Sequence, residues 1–270
     1  MTSQRKGSLL MRIAIIGGSG VYDPGILTNI HEEKIETPYG MVDIKVGTYE
    51  GEEIGFMPRH GEKHSLPPHK VNYRANIWAL KKLKVERVLA TAAVGSTNTD
   101  FQPGDFVIVN DFLDFTKNRT YTFFEGGQMG VVHTDFTEPY CPELRKVLVE
   151  TAKKLGIKAH DGGVYACTEG PRFETPAEIR MISRLGGDLV GMTNVPEVVL
   201  AHELGLCYGL IAMVTNLGAG ISENPLSHQE VLDIMDQNGK NLKNLIMESI
   251  PAIPLERNCS CNQSGGKIEV

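Results

Sequence analysis

The chain has 270 residues, 41% of them hydrophobic, and a formal net charge of −6. That size and apolar content suit one sizeable core, and the acidic balance argues against a general nucleic-acid binder, which needs many phosphate-neutralising cations. No apolar run approaches the roughly 20 residues that span a bilayer, the N-terminus has no signal-peptide core, and five cysteines at this length make no secreted disulfide scaffold, so the expectation is a cytoplasmic protein that binds neither nucleic acid nor membrane.

Residues 1–10 read as an extension ahead of a domain that covers residues 11–252. The domain opens on RIAIIGG (12–18), a β-branched run ending in glycines, which predicts a buried strand and a tight loop. VDIKVGTYEGEEIGFM (42–57) alternates and turns at Glu50–Gly51, a hairpin signal. VNYRANIWALKKL (71–83) carries Val71, Ala75, Ile77, Trp78, Leu80 and Leu83 at helical spacing. RVLATAAVGS (87–96) and DFVIVNDFLD (105–114) read as strands. CPELRKVLVETAKKLG (141–156) has Pro at its start and Gly at its end, as helices do.

From there strand and helix alternate. GGVYACTEG (162–170), DLVGM (188–192) and LCYGLIAMVTN (206–216) read as strands. TPAEIRMISRLGG (175–187), VPEVVLAHELG (195–205) and the long amphipathic stretch 227–250 read as helices. The polar segment 253–270 reads as a flexible tail. Alternation of this kind predicts a single α/β domain with a largely parallel central sheet.

Ligands of such sheets sit beyond the carboxyl ends of the strands. Those ends are Gly17–Gly20, Ala92–Ser96, Cys167–Glu174, Gly191–Asn194 and Thr215–Gly220, rich in Gly, Ser, Thr and Asn. The GGSG at 17–20 is neither a G-x-G-x-x-G nor a Walker sequence, yet its amides and the Ser19 hydroxyl could face an anion. MPRHGEKHSLPPHK (57–70) concentrates Arg59, His60, Lys63, His64, His69 and Lys70 around Gly61 and Pro67–Pro68, which exclude a regular helix. Arg59 offers a bidentate fork to phosphate oxygens, and His60 offers a donor or a charge near neutral pH. The H-x-x-x-H spacing of His60 and His64 leaves a metal as an alternative, and a solvated loop accounts for Lys63, His69 and Lys70. Cys259 and Cys261 form a C-x-C pair, two ligands where zinc takes four.

IIGGSG, PRHGEKH, PPHKVNYRANIWALK, AVGS, QPGDFV, EGPRFET, GMTNVPEVVLA and VTN occur in this order between Ile15 and Asn216. In these blocks the chain resembles the trimeric purine nucleoside phosphorylases, a family that includes methylthioadenosine phosphorylase. The resemblance implies a twisted, mixed, mostly parallel sheet flanked by helices. It also implies a homotrimer or trimer-based hexamer and metal-free, cofactor-free phosphorolysis of a purine nucleoside, with inorganic phosphate as co-substrate. Carried over residue by residue, it assigns phosphate to Ser19, Arg59, His60, the backbone of Ala93, and Thr193. Met192 and His64 border the sugar, Phe173 packs on the purine, and His133 is lent to the 5′ side by a neighbouring subunit. Asn216 and His60 take the catalytic roles.

Three base-site positions depart from the methylthioadenosine members. Asn216 and Gly218 stand where those enzymes carry Asp, and Glu174 where they carry Ser. Glu174 and Asn216 instead resemble the inosine- and guanosine-splitting enzymes, as does His228 near the 5′-hydroxyl. The chemistry agrees: a carboxylate accepts from the N1–H of a 6-oxopurine, and an amide donates to N7 or O6. Ala92 replaces a Thr, which removes one phosphate hydroxyl. The expected substrates are therefore 6-oxopurine nucleosides, with methylthioadenosine or methylthioinosine as the alternative. The resemblance also makes Cys141 and Cys207 candidates for a disulfide.

Overall fold

The computed structural model describes residues 11–17, 27–61, 65–222, 228–263 and 265. Its eleven strands form one mixed sheet. In chain order they are β1 (Ile13–Gly17), β2 (Thr28–Thr37), β3 (Gly40–Tyr49), β4 (Glu52–Pro58), β5 (Arg87–Ser96), β6 (Phe106–Ile108), β7 (Asp111–Asp114), β8 (Ala159–Asp161), β9 (Val164–Cys167), β10 (Leu189–Gly191) and β11 (Cys207–Leu217). The main path runs β2-β3-β4-β1-β5-β10-β9-β7, and β11 joins β5 to β6, which pairs β8. Six of the ten ladders are parallel, in keeping with a mostly parallel sheet.

Five helices cover the sheet: α1 (Tyr73–Lys82), α2 (Pro142–Leu155), α3 (Pro176–Arg184), α4 (Asn194–Glu203) and α5 (His228–Ser249). Their ends follow from local chemistry. Asn72 accepts from the Ala75 amide at the start of α1, and α3 begins with a Thr175–Glu178 capping box. Pro142 opens α2 and Gly156, at φ 67°, closes it in the left-handed conformation that glycine adopts without a Cβ penalty. Alternation along β11 splits the core: Tyr208, Leu210, Ala212 and Val214 face the α1/α4 side, and Cys207, Ile211 and Met213 face the α2/α5 side.

Two expectations need correction, and one strand was not anticipated. The stretch 105–114 is two strands, not one: β6 pairs β11 and β8, while β7 pairs β9. The intervening Asn110 accepts from the Gly163 amide at 2.7 Å, which pins the chain as it changes partner. β2 is an edge strand that alternation did not reveal. The tail is docked as far as it is described: Ile253, Cys259 and Cys261 are buried, Arg87 Nη2 donates to Glu256 O at 2.9 Å, and Arg257 Nη1 donates to Gly205 O at 2.9 Å. Residues 1–10 and 266–270 lie outside the described residues. No helix among the described residues is long and apolar enough to cross a membrane.

Candidate functional site

A cavity of about 400 Å³ opens at the carboxyl ends of β5, β10 and β11. Its position follows from how β5 is paired. β1 accompanies β5 only to Ala90, and β10 joins the same path only from Gly95. Between them one edge of β5 lacks a strand, and Arg59 fills part of the gap by donating from Nη1 to Thr91 O at 2.7 Å. Strand periodicity turns the Ala93 N–H to the same side as Thr91. Ala93 lines the cavity, so its amide is available to an anion there.

Arg59, His60, Ala93 and Thr193 all line this one cavity. Arg59, however, does not hold its bidentate fork open. Nε donates to Glu197 Oε2 at 2.7 Å and Nη2 to Glu197 Oε1 at 2.6 Å. With Thr91 O also served, two of the five guanidinium N–H groups remain for a ligand. Both side chains of the pair are at most 1% exposed. Burial opposes the Arg59 charge, but the Glu197 charge and hydrogen bonds outweigh it, and the guanidinium pKa lies above its ordinary value. Tyr208 donates to Glu197 Oε1 at 2.5 Å and accepts from Asn194 Nδ2 at 2.8 Å, and Asn194 accepts from Tyr140. This chain of buried bonds anchors Arg59 to the start of α4.

His60 places Nδ1 2.8 Å from Leu66 O. A carbonyl only accepts, so Nδ1 carries the proton. Neutral His60 therefore presents Nε2 as an acceptor, and donation to an anion requires the imidazolium. Thr193 is the residue before α4, and its amide donates to the Tyr165 hydroxyl at 3.3 Å. That tyrosine occupies the space over Gly191: a Cβ there would lie 2.1 Å from Tyr165 Oη. Gly191→Ala is expected to destabilise the fold by about 1–3 kcal/mol through overpacking, and a denaturation midpoint equal to the parent's would contradict this. Gly170, at φ 65°, likewise leaves room for Met192, whose Sδ would sit 2.4 Å from a Cβ.

Across the cavity stand Phe173, Glu174 and Asn216. Phe173 is 43% exposed at the mouth. Thr168 Oγ1 donates to Glu174 Oε1 at 2.6 Å, while Oε2 has no hydrogen-bond partner among the described residues. Asn216 follows a β-bulge between Val214 and Asn216 on β11, a device that re-aims side chains. Its Oδ1 accepts from Thr215 Oγ1 at 3.0 Å and its Nδ2 donates to Leu217 O at 2.9 Å, leaving one amide N–H. Gly218 is enclosed: a Cβ would lie 2.9 Å from Ile179 Cγ2 and 3.2 Å from Ser96 O.

The remaining candidates divide. Ser19 and His64 lie outside the described residues. His228 opens α5, and Val231, three residues on, lines the cavity; the His228 side chain itself is outside the description. His133 is exposed and does not line the cavity of its own chain. Sequence reading missed Glu197, Tyr208 and Thr168. Glu197 had a signal, since an acid inside the apolar run VPEVVLA has reason to be buried only beside a cation.

The profile of the phosphorylase superfamily matches residues 12–251. A probable 6-oxopurine nucleoside phosphorylase of Moorella thermoacetica is 83% identical over 96% of this chain and 100% of its own. The 6-oxopurine nucleoside phosphorylase of Pyrococcus furiosus is 54% identical over 94% and 97%. The S-methyl-5′-thioadenosine phosphorylase of Thermofilum pendens is 49% identical over 93% and 95%. Among solved structures, methylthioadenosine phosphorylase from Schistosoma mansoni in complex with adenine superposes with a TM-score of 0.87 at 34% identity, over 92% of this chain and 93% of that one.

Proposed function

Because the chain belongs to the phosphorylase superfamily, we propose that it splits purine nucleosides with inorganic phosphate, 6-oxopurine nucleosides being preferred. The products are the free base and ribose 1-phosphate. One observation carries the base preference: Glu174, anchored at one oxygen by Thr168, shares a cavity with the one uncommitted Asn216 N–H. An acceptor and a donor so arranged complement the N1–H and the O6 or N7 of a 6-oxopurine. Adenine would present a lone pair to the carboxylate.

In this reading phosphate occupies the corner of Arg59, His60, Ala93 and Thr193, joined by Ser19. The glycosidic C–N bond breaks, positive charge develops on the sugar, and a phosphate oxygen closes on C1′. The purine leaves with the bonding pair and takes up a proton. Holding phosphate in line is worth up to about 7–11 kcal/mol. Met192 and His64 border the ribose, with His228 toward its 5′ end, and Phe173 covers the base. No cofactor is needed in this scheme. His133 acts on a neighbour in a homotrimer or trimer-based hexamer, and the enzyme works in the cytoplasm.

A second reading, cleavage of methylthioadenosine or methylthioinosine, is favoured by the relatives that bear the first of those names. Base release from inosine, guanosine, adenosine, methylthioinosine and methylthioadenosine, each with and without phosphate, separates the two. Phosphate-dependent release from the 6-oxopurine ribosides is the expected result, and release independent of phosphate would defeat the proposal. Asn216→Ala is expected to lower kcat on inosine about 10²–10³-fold, the usual effect of removing one preorganised donor. A loss below tenfold would remove Asn216 from the catalytic role.

A further inference from the structure

The α2/α5 side of the sheet carries a second cluster of chemistry that phosphorolysis does not use. Cys141 immediately precedes α2, Cys207 opens β11, and Cys259 and Cys261 lie on the docked tail. The four are 0–8% exposed. None of the four is in a disulfide, so the Cys141–Cys207 bridge suggested by resemblance is not formed in this structure. Their sulfurs all lie within 4.8 Å of one another, and Cys207 Sγ is 3.4 Å from Cys259 Sγ. Cys141 and Cys207 thus stand beside the C-x-C pair.

We infer that Cys141, Cys207, Cys259 and Cys261 form a tetrathiolate site for one zinc ion, which clamps the tail to the domain. A regular tetrahedron with Zn–S bonds of about 2.3 Å has S···S edges of about 3.8 Å. Six sulfur pairs all inside 4.8 Å approach that figure. Two independent disulfides would instead need two pairs at about 2.05 Å. Binding requires no oxidant: the thiols give up their protons to solvent and the metal takes their place. The site lies far from the cavity, since Asn216 is nine positions beyond Cys207 along β11, about 30 Å of strand.

The surroundings suit a filled site of net charge −2. Cys141 sits at the N-terminal, positive end of α2. Arg87 pairs in register with Cys207, so it leaves the sheet on the same face, fully buried, and its Nε has no hydrogen-bond partner among the described residues. Its Nη1 faces Glu86 at 3.4 Å and its Nη2 faces Glu143 at 3.7 Å, so Nε is the guanidinium N–H left on that side.

The test uses the full-length protein. Cells are lysed under reducing, chelator-free conditions and zinc per chain is measured. The purified protein is then reduced, stripped and titrated with Co²⁺. One zinc per chain, and a 1:1 cobalt end point with the intense bands of a tetrahedral tetrathiolate, are expected. Cys261→Ser should lose most of the metal and lower the melting temperature, while phosphate-dependent base release at moderate temperature persists. The inference falls if the stripped, reduced parent protein binds no equivalent of Co²⁺ or Zn²⁺. It falls equally if alkylation at lysis finds the four cysteines bridged. Neither result bears on phosphorolysis, which the base-release assay tests separately.

Discussion

Glu174→Gln is expected to collapse the discrimination between inosine and adenosine. A site built around one buried hydrogen bond can reject the wrong partner by roughly 10⁴–10⁵-fold, and in the proposed function that bond runs from purine N1–H to the carboxylate. The substitution preserves size and, through Thr168, orientation. The Thr168 hydroxyl donates to Oε1 of residue 174, so in glutamine the carbonyl oxygen takes that place and the amide NH₂ faces the base. A donor then meets the N1–H of inosine and the N1 lone pair of adenosine. The ratio of kcat/KM for inosine over adenosine should fall by about 10²-fold or more, through loss on inosine and gain on adenosine. An unchanged ratio would show that Glu174 does not read the base. The opposite design, an acid at position 218, meets a steric limit, because Ile179 and Ser96 O already crowd Gly218. Asn216→Asp with Gly218→Asp therefore needs a smaller residue at 179 before it can favour 6-aminopurines.

Glu197→Ala is expected to destabilise the protein by about 3–5 kcal/mol, as breaking a buried ion pair does. The Arg59 guanidinium would stay buried without its counter-charge, and Tyr208 would lose its acceptor. Activity should fall too, since this fork holds the two spare N–H groups of Arg59 toward the cavity. Equilibrium unfolding in urea measures the first effect, and a loss below about 1 kcal/mol would count against it. A double replacement separates stability from function. Arg59→Met with Glu197→Leu removes both charges, and apolar substitutes for a buried pair are often neutral. That variant should regain much of the stability and none of the phosphate dependence.

Elements whose signal is local are legible along the chain. β1, β5 and β11 are continuous apolar runs because both of their faces are covered, and α1, α2 and α3 carry their own spacing and end signals. The small residues at the strand ends marked the floor of the cavity, and the blocks around Arg59, Phe173 and Asn216 marked its walls. β2 escaped because it is an edge strand: TNIHEEKIET is mostly exposed and charged, which protects the edge and hides the period. Asn110 escaped because the change of partner between β6 and β7 depends on Gly163, 53 residues away.

The surroundings of the charged and sulfur-bearing groups come from long-range contacts. Arg59 reads as a free phosphate fork until Glu197, 138 residues on, is found in its grip. Cys259 and Cys261 read as a pair with half a ligand set until the start of α2 and of β11 bring Cys141 and Cys207 beside them. Periodicity and capping act over a few residues and are written in order along the chain. Ion pairs and metal-sized clusters depend on separations of a few ångströms between distant segments, which chain folding alone sets.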